Sequence, residues 1–169
     1  MDSIYLFPLA IILGYVIFRL LLKLFYPVFV LIHEFGHALP AAVSGKRQIS
    51  ITIGDEPHAT CFKLPGIVVK ISFKRSEIGK TYYEGKPENW TELLFIVGSA
   101  PLLSLMISIV LGWVLLSFKF HLLVLMLLCA AWLANTHIFL GSLWPVGFRD
   151  SNGQCISSDL LTILKGPNE

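Results

Sequence analysis

Phe25-Tyr26-Pro27-Val28-Phe29-Val30-Leu31-Ile32-His33-Glu34-Phe35-Gly36-His37-Ala38-Leu39-Pro40-Ala41-Ala42-Val43 is an apolar run interrupted by His33, Glu34 and His37. In a helix, residues four apart share a face, so His33 and His37 can turn two imidazoles towards one metal ion. Glu34 follows the first histidine by one position and can serve as a general base beside that metal. Ionisable groups inside so apolar a segment call for a functional reason, because each is costly to hold in hydrocarbon.

Working outward, the whole chain has the same character. Of its 169 residues 55% are hydrophobic and 14% charged, with a mean hydropathy of +0.73, and the apolar residues fall in long blocks. These values describe an integral membrane protein in contact with the lipid bilayer. A net charge of +2 and a pI near 8.5, without a Lys- or Arg-rich tract, exclude nucleic acid as a partner class. Cys61, Cys129 and Cys155 have neither CxxC spacing nor an even count, and they read as free thiols.

The expected fold is an all-α membrane bundle of about four transmembrane helices, 4–22, 25–43, 91–117 and 121–144, forming a single domain over 1–169. Pro27 removes a backbone donor and is expected to separate the first two helices by a tight turn near Lys23. Residues 46–90 regain charge, Gly and Pro. Their alternating runs Gln48–Ile53 and Gly66–Phe73 predict a small β-hairpin or sheet inserted between helices two and three. A short tail, 151–169, contains an amphipathic stretch from Ser157 to Leu164. Four crossings would place both termini and the basic 46–90 insertion on one side, which the positive-inside rule makes cytoplasmic. The sequon Asn89-Trp90-Thr91 falls on that side and is expected to carry no glycan.

A catalytic zinc needs three protein ligands and an open position. His33 and His37 supply two. Asp150 is the leading third candidate, since it follows the last helix at the face where the His pair emerges, although Asp-Ser-Asn-Gly is also ordinary turn chemistry. Asp55, Glu56 and His58 are alternatives in a loop on the same side. His121 and His137 are weaker, one at the opposite face and one deep in helix four.

His33-Glu34-x-x-His37 together with Pro145-x-x-x-x-Asp150, and with the small residues Gly98-Ser99-Ala100-Pro101 between, resembles the site-2 protease family of intramembrane metalloproteases, in its small form without PDZ or CBS domains. The resemblance implies one Zn2+ per chain held by His33, His37 and Asp150, with Glu34 as the general base. It departs at two places, where Ser142 and Ser151 stand for the family's usual Asn and Gly. Asn135, two helical turns before Ser142, is a second polar candidate on that helix, for substrate contact or for interhelical bonding.

The expected function is hydrolysis of peptide bonds in transmembrane segments of a regulatory membrane protein, near the cytoplasmic face. Asn135, Ser142 and the strand residues Gly66, Ile67, Val68 and Val69 are the candidate substrate contacts, the strand by adding an extended peptide to the sheet. A membrane partner or a homo-oligomer would supply any further selectivity. A catalytically inactive adaptor that keeps the protease fold is the alternative.

Overall fold

The computed structural model describes residues 3–54, 59–145, 147–149 and 155–167. Asp55, Glu56, His58, Asp150 and Ser151 lie outside the described residues. The chain begins with one long helix, α1 (Ser3–Val43), followed by strands β1 (Arg47–Ile53), β2 (Thr60–Leu64), β3 (Ile67–Ile71) and β4 (Gly79–Glu84). Helices α2 (Trp90–Ser117) and α3 (Leu122–Leu143) come next, then a small two-stranded ribbon, β5 (Gly147–Arg149) and β6 (Cys155–Ser157), and a last short helix, α4 (Asp159–Lys165).

The fold is therefore mixed α/β, and this corrects the expected all-α bundle of four crossings. Three helices are long and apolar enough to cross a membrane: Ile11–Val43 within α1, then α2 and α3. The miscount arises at Pro27, where α1 runs straight through. Breaking a helix in an apolar medium exposes further unpaired backbone groups, so one missing donor is tolerated when neighbouring helices pack around it. Here Leu22, Phe25 and Phe29 pack with Ile107 and Leu111 of α2 and with Ala131 and Ala134 of α3. At about 1.5 Å per residue, the 41 residues of α1 extend about 60 Å, roughly twice the hydrocarbon thickness. The helix ends in a Schellman turn: Gly45 has φ 78°, the Lys46 N–H donates to Ala41 O and the Gly45 N–H to Ala42 O.

The insertion is more than a hairpin. Its four strands run in the order β2-β3-β1-β4, with β1 parallel to β3 and antiparallel to β4. Strand β2 folds back on β3 through Pro65-Gly66, where Gly66 takes φ 78°. Ile49, Ile51 and Ile53 alternate on the inner face of β1 and pack with Ile67, Val69, Val30, Ala38 and Ala41, so the sheet lies against the second half of α1. Strand β4 was not expected, because Gly-Lys-Thr-Tyr-Tyr-Glu has little apolar alternation. Its pairing with β1 and its packing on α1 make it a strand.

At the root of the sheet, Lys46 forms an ion pair with Glu92 at 2.9 Å and also donates to Lys86 O at 2.9 Å. Asn89 caps α2, its Oδ1 accepting the Glu92 N–H at 2.9 Å, so the sequon asparagine has a structural use.

Candidate metal centre

His33 and His37 stand on successive turns of α1, with ring centroids 5.1 Å apart and planes nearly perpendicular. Both are buried, as is Glu34. Two features of α2 hold the pair. Gly36, between the histidines, faces Ala100 so closely that a Cβ there would come within 2.6 Å of Ala100 Cα. Along that contact the His33 Nδ1 and the Ser104 hydroxyl lie 2.9 Å apart, and the His37 Nδ1–H donates to the Ile96 carbonyl at 3.0 Å.

Those contacts leave both Nε2 atoms facing inward, and what they meet is Asp159. Its Oδ2 lies 3.1 Å from His33 Nε2 and its Oδ1 3.1 Å from His37 Nε2. Asp159 is the first residue of α4, whose preceding residue Ser158 is a buried N-cap accepting from the Leu161 N–H at 3.3 Å. The cap fixes where α4 starts and so which way the aspartate points. Burial alone would raise the Asp159 carboxyl, but the hydrogen bonds and charges of the two imidazoles outweigh it and hold the group at about 2.

The protonation pattern is informative. A carbonyl only accepts, so the His37 proton sits on Nδ1, and in the neutral ring Nε2 then carries a bare lone pair. A lone pair 3.1 Å from a carboxylate oxygen requires a positive species there: a second proton on His37 or a shared cation. Two imidazoles and a carboxylate with one ligand atom each, all within 4.8 Å of one another, could hold a metal ion. Imidazoles whose other nitrogen is tied to a carbonyl or hydroxyl match the usual support of metal-binding histidines.

Glu34 is held by the sheet. Its Oε2 accepts from the Thr81 hydroxyl at 2.7 Å, and the same hydroxyl lies 3.1 Å from its backbone carbonyl. Gly79, two residues earlier on β4, has no room for a side chain: a Cβ would collide with the Glu34 carboxylate and with Val30 Cγ1 at 2.6 Å. Strand β4 thus delivers a hydroxyl to Glu34 and packs tightly over it.

The other sequence candidates separate clearly. His121 caps α3 and His137 packs edge-on to Tyr26, both away from the metal group. Asn135 is fully buried between α2 and α3, its amide donating to Ser104 O at 2.7 Å and to Ser108 Oγ at 2.8 Å. It therefore braces the residue that holds His33. Ser142 donates to Phe139 O of its own helix at 2.8 Å. Ile67, Val68 and Val69 stand in β3, which is paired on both sides, so that strand has no free edge for an added peptide; the edges are β2 and β4.

Asp159, Ser104, Thr81 and Gly79 were not found from the sequence. Of these only Asp159 carried a signal, Ser158-Asp159 opening an amphipathic stretch as a helix cap would. Comparison of the chain with protein-family models, with curated proteins and with solved structures finds no match in any of the three.

Proposed function

We propose that this protein is a zinc-dependent intramembrane endopeptidase, similar to site-2 proteases, with His33, His37 and Asp159 as metal ligands and Glu34 as the general base. The observation that carries the reading is the convergence of His33, His37 and Asp159 directly beside a buried glutamate. The ligand set differs from the one the resemblance implied, with Asp159 taking the place of Asp150.

Two neutral imidazoles and one carboxylate suit zinc, leaving a position open. Zinc held by His33, His37 and Asp159 would supply Lewis acidity for hydrolysis near neutral pH. Glu34 takes the proton of the attacking water and returns it to the leaving amine as the C–N bond breaks. The Thr81 hydroxyl orients the carboxylate for both transfers. His33 and His37 are kept in one orientation by Ser104 and Ile96, so both Nε2 atoms already face Asp159.

An extended substrate segment is expected to pair with β4, an edge strand of the described sheet that lies beside Glu34; a transmembrane helix must unwind locally to present it. With three crossings the two chain ends fall on opposite sides. The sheet, the α4 tail and the metal group share the side rich in Lys and Arg, which the positive-inside rule makes cytoplasmic, and the N-terminus moves to the far side.

The experiment is zinc content per chain of the purified protein in wild type, Asp159→Ala, His37→Ala and Asp150→Ala. About one zinc per chain, lost in Asp159→Ala and His37→Ala and kept in Asp150→Ala, is expected for a single three-ligand site. Wild type without zinc, or loss only in Asp150→Ala, would overturn the assignment.

A further inference from the structure

A cavity of about 650 Å³ lies along α1 on the N-terminal side of the metal group. Arg19, Lys23 and Tyr26 of α1 line it, facing Ser76 and Glu77 of the β3–β4 connection and His137 of α3. Its outer wall is apolar, made by Tyr15, Val16 and Leu20, which are themselves exposed on the membrane-crossing part of α1. Tyr26 precedes His33 by seven residues, two helical turns, so this space is separate from the catalytic groups.

Its charges are unusual for their setting. Arg19 and Lys23, one turn apart on the same face, sit inside an apolar span, and among the described residues neither they nor Glu77 belong to an ion pair. Arg19 and Glu77 both act electrostatically on the Tyr26 hydroxyl, which places opposite charges around one opening. Ionisable groups at membrane depth are kept when something pairs with them. Two cations and one carboxylate, beside an apolar wall open to lipid, match a ligand with a phosphate, an amine and acyl chains.

We propose that this cavity holds the headgroup of an amine-bearing glycerophospholipid of the phosphatidylethanolamine type. The phosphate lies between Arg19 and Lys23, the guanidinium offering paired donors. The ammonium donates to Glu77 beside the Tyr26 ring, and the acyl chains follow Tyr15, Val16 and Leu20 into the bilayer. The cavity volume falls within the range of small-molecule sites. The inference requires that α1 cross a bilayer and does not depend on peptidase activity.

The test reconstitutes the full chain in bilayers of equal phosphatidylethanolamine, phosphatidylglycerol and phosphatidylcholine, and measures by mass spectrometry the lipids retained on mild extraction. Phosphatidylethanolamine is expected to be enriched over phosphatidylcholine, whose methylated amine has no hydrogen to give Glu77, and over phosphatidylglycerol, which has no amine. Replacing Arg19 or Lys23 by Gln is expected to reduce the phospholipid retained per chain about fivefold each, equivalent to roughly 1 kcal/mol per cation. Glu77→Gln is expected to keep a phospholipid but shift the preference to phosphatidylglycerol. Zinc content equal to wild type in these variants confirms that the fold survives, and Glu34→Gln should keep the enrichment. Equal retention of the three lipids by the wild type, or wild-type amounts of retained lipid in the Arg19→Gln/Lys23→Gln double variant, overturns the proposal. So does binding of an acidic transmembrane peptide, abolished in the double variant, without lipid enrichment, which would make the cavity a peptide subsite.

Discussion

Glu34 and Ser104 are tied to the His33, His37 and Asp159 group in different ways. Glu34 bonds to Thr81 and makes no hydrogen bond to either imidazole or to Asp159, so Glu34→Gln should leave zinc in place. Cleavage of a transmembrane reporter should fall by about 10²–10⁴, the usual contribution of a positioned base. A Glu34→Gln protein that cuts at the wild-type rate would remove this residue from the chemistry and favour an adaptor. The Ser104 hydroxyl bonds the outer nitrogen of His33, on the side of the ring away from Asp159. Ser104→Ala should weaken zinc binding by about 10–100-fold, as measured by competition with a chelator, because the ring loses the partner that orients it.

Among the elements, β4 and the α1–α2 contact show how closely the site depends on small residues. Gly36→Ala would push a methyl into Ala100, and overpacking of this kind costs about 1–3 kcal/mol. Since the His33–Ser104 and His37–Ile96 bonds flank that point, zinc affinity and thermal stability should fall together. Gly79→Ala presses instead on Glu34 and Val30, so it should reduce cleavage with zinc content unchanged; loss of zinc as well would mean that β4 supports the whole site and not the base alone. The His33-Glu34-x-x-His37 spacing made half of this centre legible, because a helix fixes which side chains share a face. The two strands with alternating Ile and Val, and the spans of α2 and α3, were legible for the same reason. Pro27 misled because its local cost is real but is overridden by packing with α2 and α3. Strand β4 carries polar residues on an edge, where pairing with β1 decides the conformation, and Asp159 is brought to the histidines across more than a hundred residues of sequence. No local pattern encodes either.

For the molecule as a whole, the difference between three crossings and four has a direct consequence. If α1, α2 and α3 each cross the membrane, residues 46–90 and α4 share a side, because Asp159 of α4 reaches the His pair near the end of α1 from which the sheet departs, and because α2 and α3 would together cross out and back. On the proposed topology, one unbroken α1 would then put the N-terminus across the membrane from both. A protease-cleavable tag at the N-terminus should therefore be cut from outside intact cells or right-side-out vesicles, while the same tag placed after Glu169 is cut only after permeabilisation. Protection of both tags would require a second crossing before the His pair and so a break in α1 near Pro27. Cleavage of the C-terminal tag alone would reverse the orientation, moving the metal group to the far face while leaving its chemistry intact. The expected pattern and protection of both tags alike keep Asp159 and the two histidines on the cytoplasmic side, so the C-terminal tag reports the side of the metal group and the N-terminal tag reports whether α1 crosses once.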